Sequence, residues 1–246
     1  ADGTLDITRL SALVDQICSL RNEGIEVILI SSGAVACGRS ELRNMSLSQL
    51  DNVDARQLFS AVGQVKLINR YYDLFRDYGI QVGQVLTMKE SFATRRHYLN
   101  QRNCMMVMLR NGIIPIVNEN DSVAVEEIVY GDNDSLSAIV AKLINADALV
   151  ILTDIDGLFD GNPQENIDAR LIPVVDEITP EIKALAGDAG SNRGTGGMIT
   201  KLNAAEISTS AGIDTVIMSG NDPADIYKLF DGHQIGTFFI GKKSGK

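Results

Sequence analysis

The sequence predicts an α/β fold: a mostly parallel central sheet sandwiched between helices in a three-layer α/β/α arrangement. Short β-branched runs alternate along the chain with longer segments whose apolar residues recur at helical spacing. Runs such as EVILIS and ALVILTD are continuously apolar, as strands covered on both faces are. The 246 residues are 45% hydrophobic and 22% charged, enough for a sizeable core and too apolar for wholesale disorder.

In chain order, LSALVDQICSLRNEG reads as a helix closed by Gly24, and EVILIS follows as a buried strand. ARQLFSAVGQVKLINRYYDLFRDYG is helical and IQVGQVLT is a strand. The helix RHYLNQRNCMMVMLRNG leads to the strand IIPIV, a polar loop and the helix SLSAIVAKLINAD. ALVILTD is the most hydrophobic strand. After a less regular middle, the helix MITKLNAAEISTSAG precedes the strand DTVIMS, then PADIYKLF and GTFFIG. There is no internal repeat, and the linker-like DGNPQENIDAR is too short to divide domains. The reading is one domain over residues 1–246.

A net charge of −10, with pI near 4.7, argues against nucleic acid or an anionic membrane as partner. Cys18, Cys37 and Cys104 show no CxxC spacing and read as reduced thiols. His97 and His233 stand apart from any cysteine pair, so zinc is not expected. No stretch approaches a membrane span and no signal peptide precedes the first helix, so a cytoplasmic protein is expected.

A parallel sheet collects ligands at the carboxyl ends of its strands. There the chain carries Ser31-Ser32-Gly33-Ala34, Asn118-Glu119-Asn120-Asp121, Thr153-Asp154 and Ser219-Gly220. The stretch GSNRGTGGMITKLNAA sets Gly194, Gly196 and Gly197 before a helix, with Lys201 one turn inside it. Glycines let backbone N–H groups close on a phosphate, and the helix dipole favours the same anion. It is not the GxxxxGK[ST] loop, because no lysine follows the last glycine directly. Ser32-Gly33 before AVACG is a second candidate anion turn, and it lacks the leading glycine of a hydrolase nucleophile elbow. Asp121, Asp132, Asp134 and Asp154 are candidates for Mg²⁺, directly or through water, or are turn formers and caps. Asp134 in particular stands where it would cap a helix starting at Ser135.

In this order, SSGAVACG, NENDSVAVEEIVYGDNDSLSA, LTDIDGLFDGNP and GTGGMITKLNAA resemble the amino acid kinase family, over about Leu5 to Phe239. The paired NEND and GDND motifs resemble the members that phosphorylate L-glutamate. The resemblance implies transfer of the γ-phosphoryl group of ATP to the glutamate side-chain carboxylate, giving γ-glutamyl phosphate for proline biosynthesis. It implies that Ser32, Asp121 and Asn133, with their neighbours Gly33 and Asp134, serve the amino acid. Thr153, Asp154 and the loop Thr195, Gly196, Gly197, Met198, Ile199, Thr200 and Lys201 would serve the nucleotide, with Lys201 catalytic. It further implies Mg²⁺, a homo-oligomer (dimer or tetramer), and proline as feedback inhibitor. Family members begin with a strand bearing a lysine and a small Gly/Ser turn, and ADGTLDITRL aligns after it. Weakened or absent catalysis is therefore expected of the chain as written. Many members also carry a C-terminal RNA-modification-type domain, and none is expected within the residues up to Lys246. The alternatives are a kinase for another acceptor such as N-acetylglutamate, or a non-catalytic amino-acid sensor. A dinucleotide-binding domain is set aside for want of GxGxxG after the first strand.

Overall fold

The computed structural model describes residues 5–46, 49–88, 90–123, 133–163, 166–187 and 197–242. They fall into two compact units, Ala1–Val129 and Tyr130–Lys246. Among the described residues no helix is long and apolar enough to cross a membrane.

In the first unit the elements are α1 (Ile7–Asn22), β1 (Leu29–Ile30), α2 (Ala34–Glu41), α3 (Asn52–Arg76), β2 (Val82–Thr87), α4 (Glu90–Ala93), α5 (Arg95–Arg110) and β3 (Ile114–Glu119). The helix starts follow capping chemistry: Asp6, Asp51 and Thr94 each accept a hydrogen bond from a first-turn N–H. Gly24, Gly79 and Gly112 follow α1, α3 and α5 with positive φ, as expected where a helix turns off. The strands form one parallel sheet in the order β1-β3-β2. Its core joins Val14, Ile17 and Cys18 of α1 to Leu67, Tyr71 and Phe75 of α3 and to Ile114 and Ile116 of β3.

The second unit contains α6 (Asn133–Ile144), β4 (Ala148–Thr153), β5 (Val174–Val175), α7 (Pro180–Gly187), α8 (Met198–Ser210), β6 (Asp214–Ser219), α9 (Ala224–Phe230) and β7 (Thr237–Phe239). Its sheet runs β4-β6-β7-β5, with β6 and β7 antiparallel and the other pairs parallel. Leu149, Ile151, Ile217 and Phe239 of the sheet pack with Leu202, Ala204 and Ala205 of α8. The α/β class and the predominance of parallel pairing agree with the sequence, and the described strands divide between two sheets. The strand expected over EVILIS pairs only at Leu29 and Ile30, with Ser31 N donating to Val117 O at 3.0 Å beyond it.

Helices α2 and α3 meet backbone to backbone. A Cβ at Gly63 would lie 1.7 Å from Ala34 O, and one at Gly38 would lie 1.8 Å from Phe59 O. Gly63→Ala is therefore expected to destabilise by at least about 2 kcal/mol, a fall in Tm of roughly 4–8 °C. An unchanged melting curve would show that the two helices have room to separate.

Cys18 and Cys37 are free and buried, whereas Cys104 is free and exposed. Burial first, then the Asp15 carboxylate, pushes the Cys18 thiol up to about 11, and burial raises Cys37 as well. The native state thus keeps a proton that the unfolded chain gives up near the usual 9.0, so stability falls as pH climbs from 9.0 towards about 11. Denaturant midpoints should fall over that window and less steeply in Cys18→Ala; parallel pH profiles would contradict this origin.

Candidate functional site

In the first unit β1 and β3 are parallel neighbours, so the turns leaving their carboxyl ends share one edge of the sheet. The turn after β1 holds Ser31, Ser32 and Gly33. Gly33 is the N-cap of α2 with φ +106°, and α2 has no side-chain cap there. A side chain at Gly33 would meet no atom within 4 Å, so conformation rather than space demands glycine. Ser31 is buried, and its Oγ lies 2.9 Å from Tyr71 Oη on α3. Burial raises the Tyr71 phenol above its usual range, keeping it a neutral hydrogen-bonding group.

Near the end of β3, buried Asn118 donates through Nδ2 to Gln64 Oε1 of α3 at 3.0 Å and accepts the Glu119 N–H at 2.9 Å. Asn120 N donates to Thr87 O at 2.8 Å, tying the loop to the end of β2. Asp121 accepts from Arg56 Nη2 at 2.7 Å. The side chains of this ion pair are 12% exposed for Asp121 and 49% for Arg56. Three side chains of α3, Arg56, Gln64 and Tyr71, therefore reach three residues at strand ends. Their spacings of eight and seven keep them on one helical face.

In the second unit Asp134 sits in the first turn of α6. Its Oδ2 is 3.0 Å from Lys201 Nζ and 2.9 Å from Thr200 Oγ1, both on α8. This pair is well shielded, with side chains 10% exposed for Lys201 and 17% for Asp134. Asp134 is thus not the cap of a helix starting at Ser135: the helix begins at Asn133 and the carboxylate turns to α8. Gly197 is the N-cap of α8, again without a side-chain cap. Parallel β4 and β6 end together at Thr153 and Ser219, and Gly220 N donates to Thr153 O at 2.7 Å. Thr153 Oγ1 lies 3.1 Å from Asp154 Oδ1, and Asp154 itself is exposed.

A family model, the amino acid kinase family, matches residues 2–219. The chain belongs to the amino acid kinase family. It is 56% identical over 219 residues to a glutamate 5-kinase of Bacteroides thetaiotaomicron, covering 89% of this chain and 60% of that protein. With a glutamate 5-kinase of Clostridium acetobutylicum it shares 47% identity over 240 residues, covering 98% of this chain and 89% of that protein. The chain thus spans about three fifths of the length of the Bacteroides relative. Among solved structures, carbamate kinase from Giardia lamblia bound to AMP-PNP matches at 16% identity with a TM-score of 0.67, over 98% of this chain and 96% of that one. That likeness is one of fold.

Of the residues that the family resemblance singles out, the structure brings Asp134, Thr200 and Lys201 into one hydrogen-bonded cluster. Met198 is buried and Ile199 half-exposed in the same turn of α8, and Asn133 opens α6. Thr153 and Asp154 stand together at the end of β4. Ser32 and Gly33 stand after β1, and Asp121 stands after β3. Thr195, Gly196 and Asp132 lie outside the described residues. Sequence reasoning missed Arg56, Gln64 and Tyr71. The available signal was three polar residues at helical spacing within an otherwise amphipathic helix.

Proposed function

We propose that this chain transfers the γ-phosphoryl group of ATP to the side-chain carboxylate of L-glutamate, giving γ-glutamyl phosphate at the start of proline biosynthesis in the cytoplasm. The observation that carries the reading is the shielded Lys201–Asp134 pair at the start of α8. It occurs in a chain 47% identical over 240 residues to a glutamate 5-kinase.

A side-chain carboxylate with an ordinary pKa of about 4.3 is already ionised at neutral pH, so its attack needs no general base. The obstacle is electrostatic, because an anion must approach a triphosphate. Catalysis then rests on alignment and on positive groups fixed before the reaction begins. Lys201 fits that requirement: Asp134 on α6 holds its ammonium group, and little of the side chain is open to water. The first N–H groups of α8, next to Gly197, add a dipole favourable to phosphate. In this reading Thr195 to Lys201, with Thr153 and Asp154, serve the nucleotide. Ser32, Gly33, Asp121, Asn133 and Asp134 serve the amino acid.

Among the described residues no three His, Cys, Asp or Glu side chains gather as a metal cage. Kinase Mg²⁺ is usually held by substrate phosphates with one or two carboxylates, and exposed Asp154 fits that lesser role. Bound there, Mg²⁺ would neutralise charge on the phosphate oxygens. Proline as inhibitor and a dimeric or tetrameric assembly belong to the same reading.

The deciding experiment is trapping of acyl phosphate by hydroxylamine with Mg·ATP and L-glutamate, N-acetyl-L-glutamate or L-aspartate. Signal with L-glutamate alone supports the proposal, and signal only with another acceptor overturns it. Lys201→Ala is expected to lower kcat about 100- to 1000-fold with little change in glutamate KM. Asp121→Asn should do the reverse, raising glutamate KM about tenfold while ATP KM stays put. A purely structural role for either residue would move both constants together.

A further inference from the structure

We propose that Arg56 is a specificity-determining residue, binding the α-carboxylate of the amino-acid substrate while Asp121 binds its ammonium group. The inference rests on the glutamate-kinase reading above and assigns one more contact within it. Its starting point is the 2.7 Å pair of Arg56 Nη2 with Asp121 Oδ1. Asp121, meant to receive a substrate cation, is already neutralised by a cation from α3. An incoming ammonium alone would put two positive groups on one carboxylate. An α-amino acid brings its own remedy, because its carboxylate is one carbon away from that ammonium. Four charges then alternate: guanidinium, Asp121, ammonium and α-carboxylate.

Guanidinium chemistry suits this role. It presents five donors in a rigid fork, and the contact with Asp121 is made through Nη2. The Arg56 side chain is 49% exposed, so it has access to a ligand as well as to the protein. A plain fastening role explains the pair less well. The two fasteners on the same face of α3, Gln64 and Tyr71, are buried and neutral. An ion pair with one partner half in water adds little to stability.

The test compares L-glutamate with its α-amide, isoglutamine, which keeps the ammonium and γ-carboxylate but lacks the α-carboxylate. In the full-length protein, wild type should favour glutamate in kcat/KM by about 10- to 100-fold, the range for a hydrogen bond between charged groups. Arg56→Gln should bring glutamate down to the level of isoglutamine while isoglutamine and the ATP KM stay within about threefold. Arg56→Lys, which keeps the charge without the fork, should retain part of the preference. An undiminished preference in both variants would overturn the inference, as would equal losses for the two substrates. So would a wild type indifferent to the α-carboxylate. A wild type that phosphorylates neither compound would remove the glutamate reading itself, and this inference with it.

Discussion

The arrangement of the first unit depends on a backbone contact between two helices. At Gly38 and Gly63, α2 and α3 approach so closely that any side chain would strike main-chain atoms. Close approach matters because α2 starts at the Ser32-Gly33 turn, while α3 carries the side chains that reach the neighbouring strand ends. Were the helices a side chain further apart, Tyr71 could not sit 2.9 Å from Ser31 Oγ. Packing of small residues, which by itself says nothing about chemistry, thus sets the positions of polar groups that do.

A different device orders the second unit. There α6 and α8 are joined by a charged contact, Asp134 with Lys201, reinforced by Thr200 at 2.9 Å. Shielding two charges costs desolvation energy that their attraction only partly repays. Stability is therefore a weak reason for this pair. Placement is a stronger one, since an ammonium group held by a shielded carboxylate has few orientations left. The α8 backbone cooperates, because Gly197 starts the helix with no side chain competing for its first N–H groups.

Much of this was legible in the sequence where cause and residue are close together. Gly24, Gly79, Gly112 and Gly212 stand at helix ends with positive φ, and α8 runs Met198–Ser210 close to where its periodicity placed it. Pairing over long distances was less legible. β3 extends through Asn118 and Glu119 because Leu86 and Thr87 of β2 continue opposite them, although those two residues read as loop. No local pattern announced that β7 would run antiparallel beside β6. The motif residues Asp121, Asp134 and Lys201 stood out through their neighbours in sequence. Arg56 did not, for it meets Asp121 across 65 residues of chain.

The two carboxylate–cation pairs make a final comparison. Each unit of this acidic chain sets a well-shielded aspartate beside a cation from the early turns of a long helix. In an acidic protein that must accept anionic ligands, such compensation keeps bare negative charge away from them. The exposures separate their roles. Lys201 is enclosed, so its position is fixed and its charge is directed to one point, as transition-state stabilisation requires. Arg56 is half in water, so it can share its donors between Asp121 and a bound molecule at small cost. Rigid compensation suits the reacting group, and shared compensation suits recognition of a ligand that brings both charges with it.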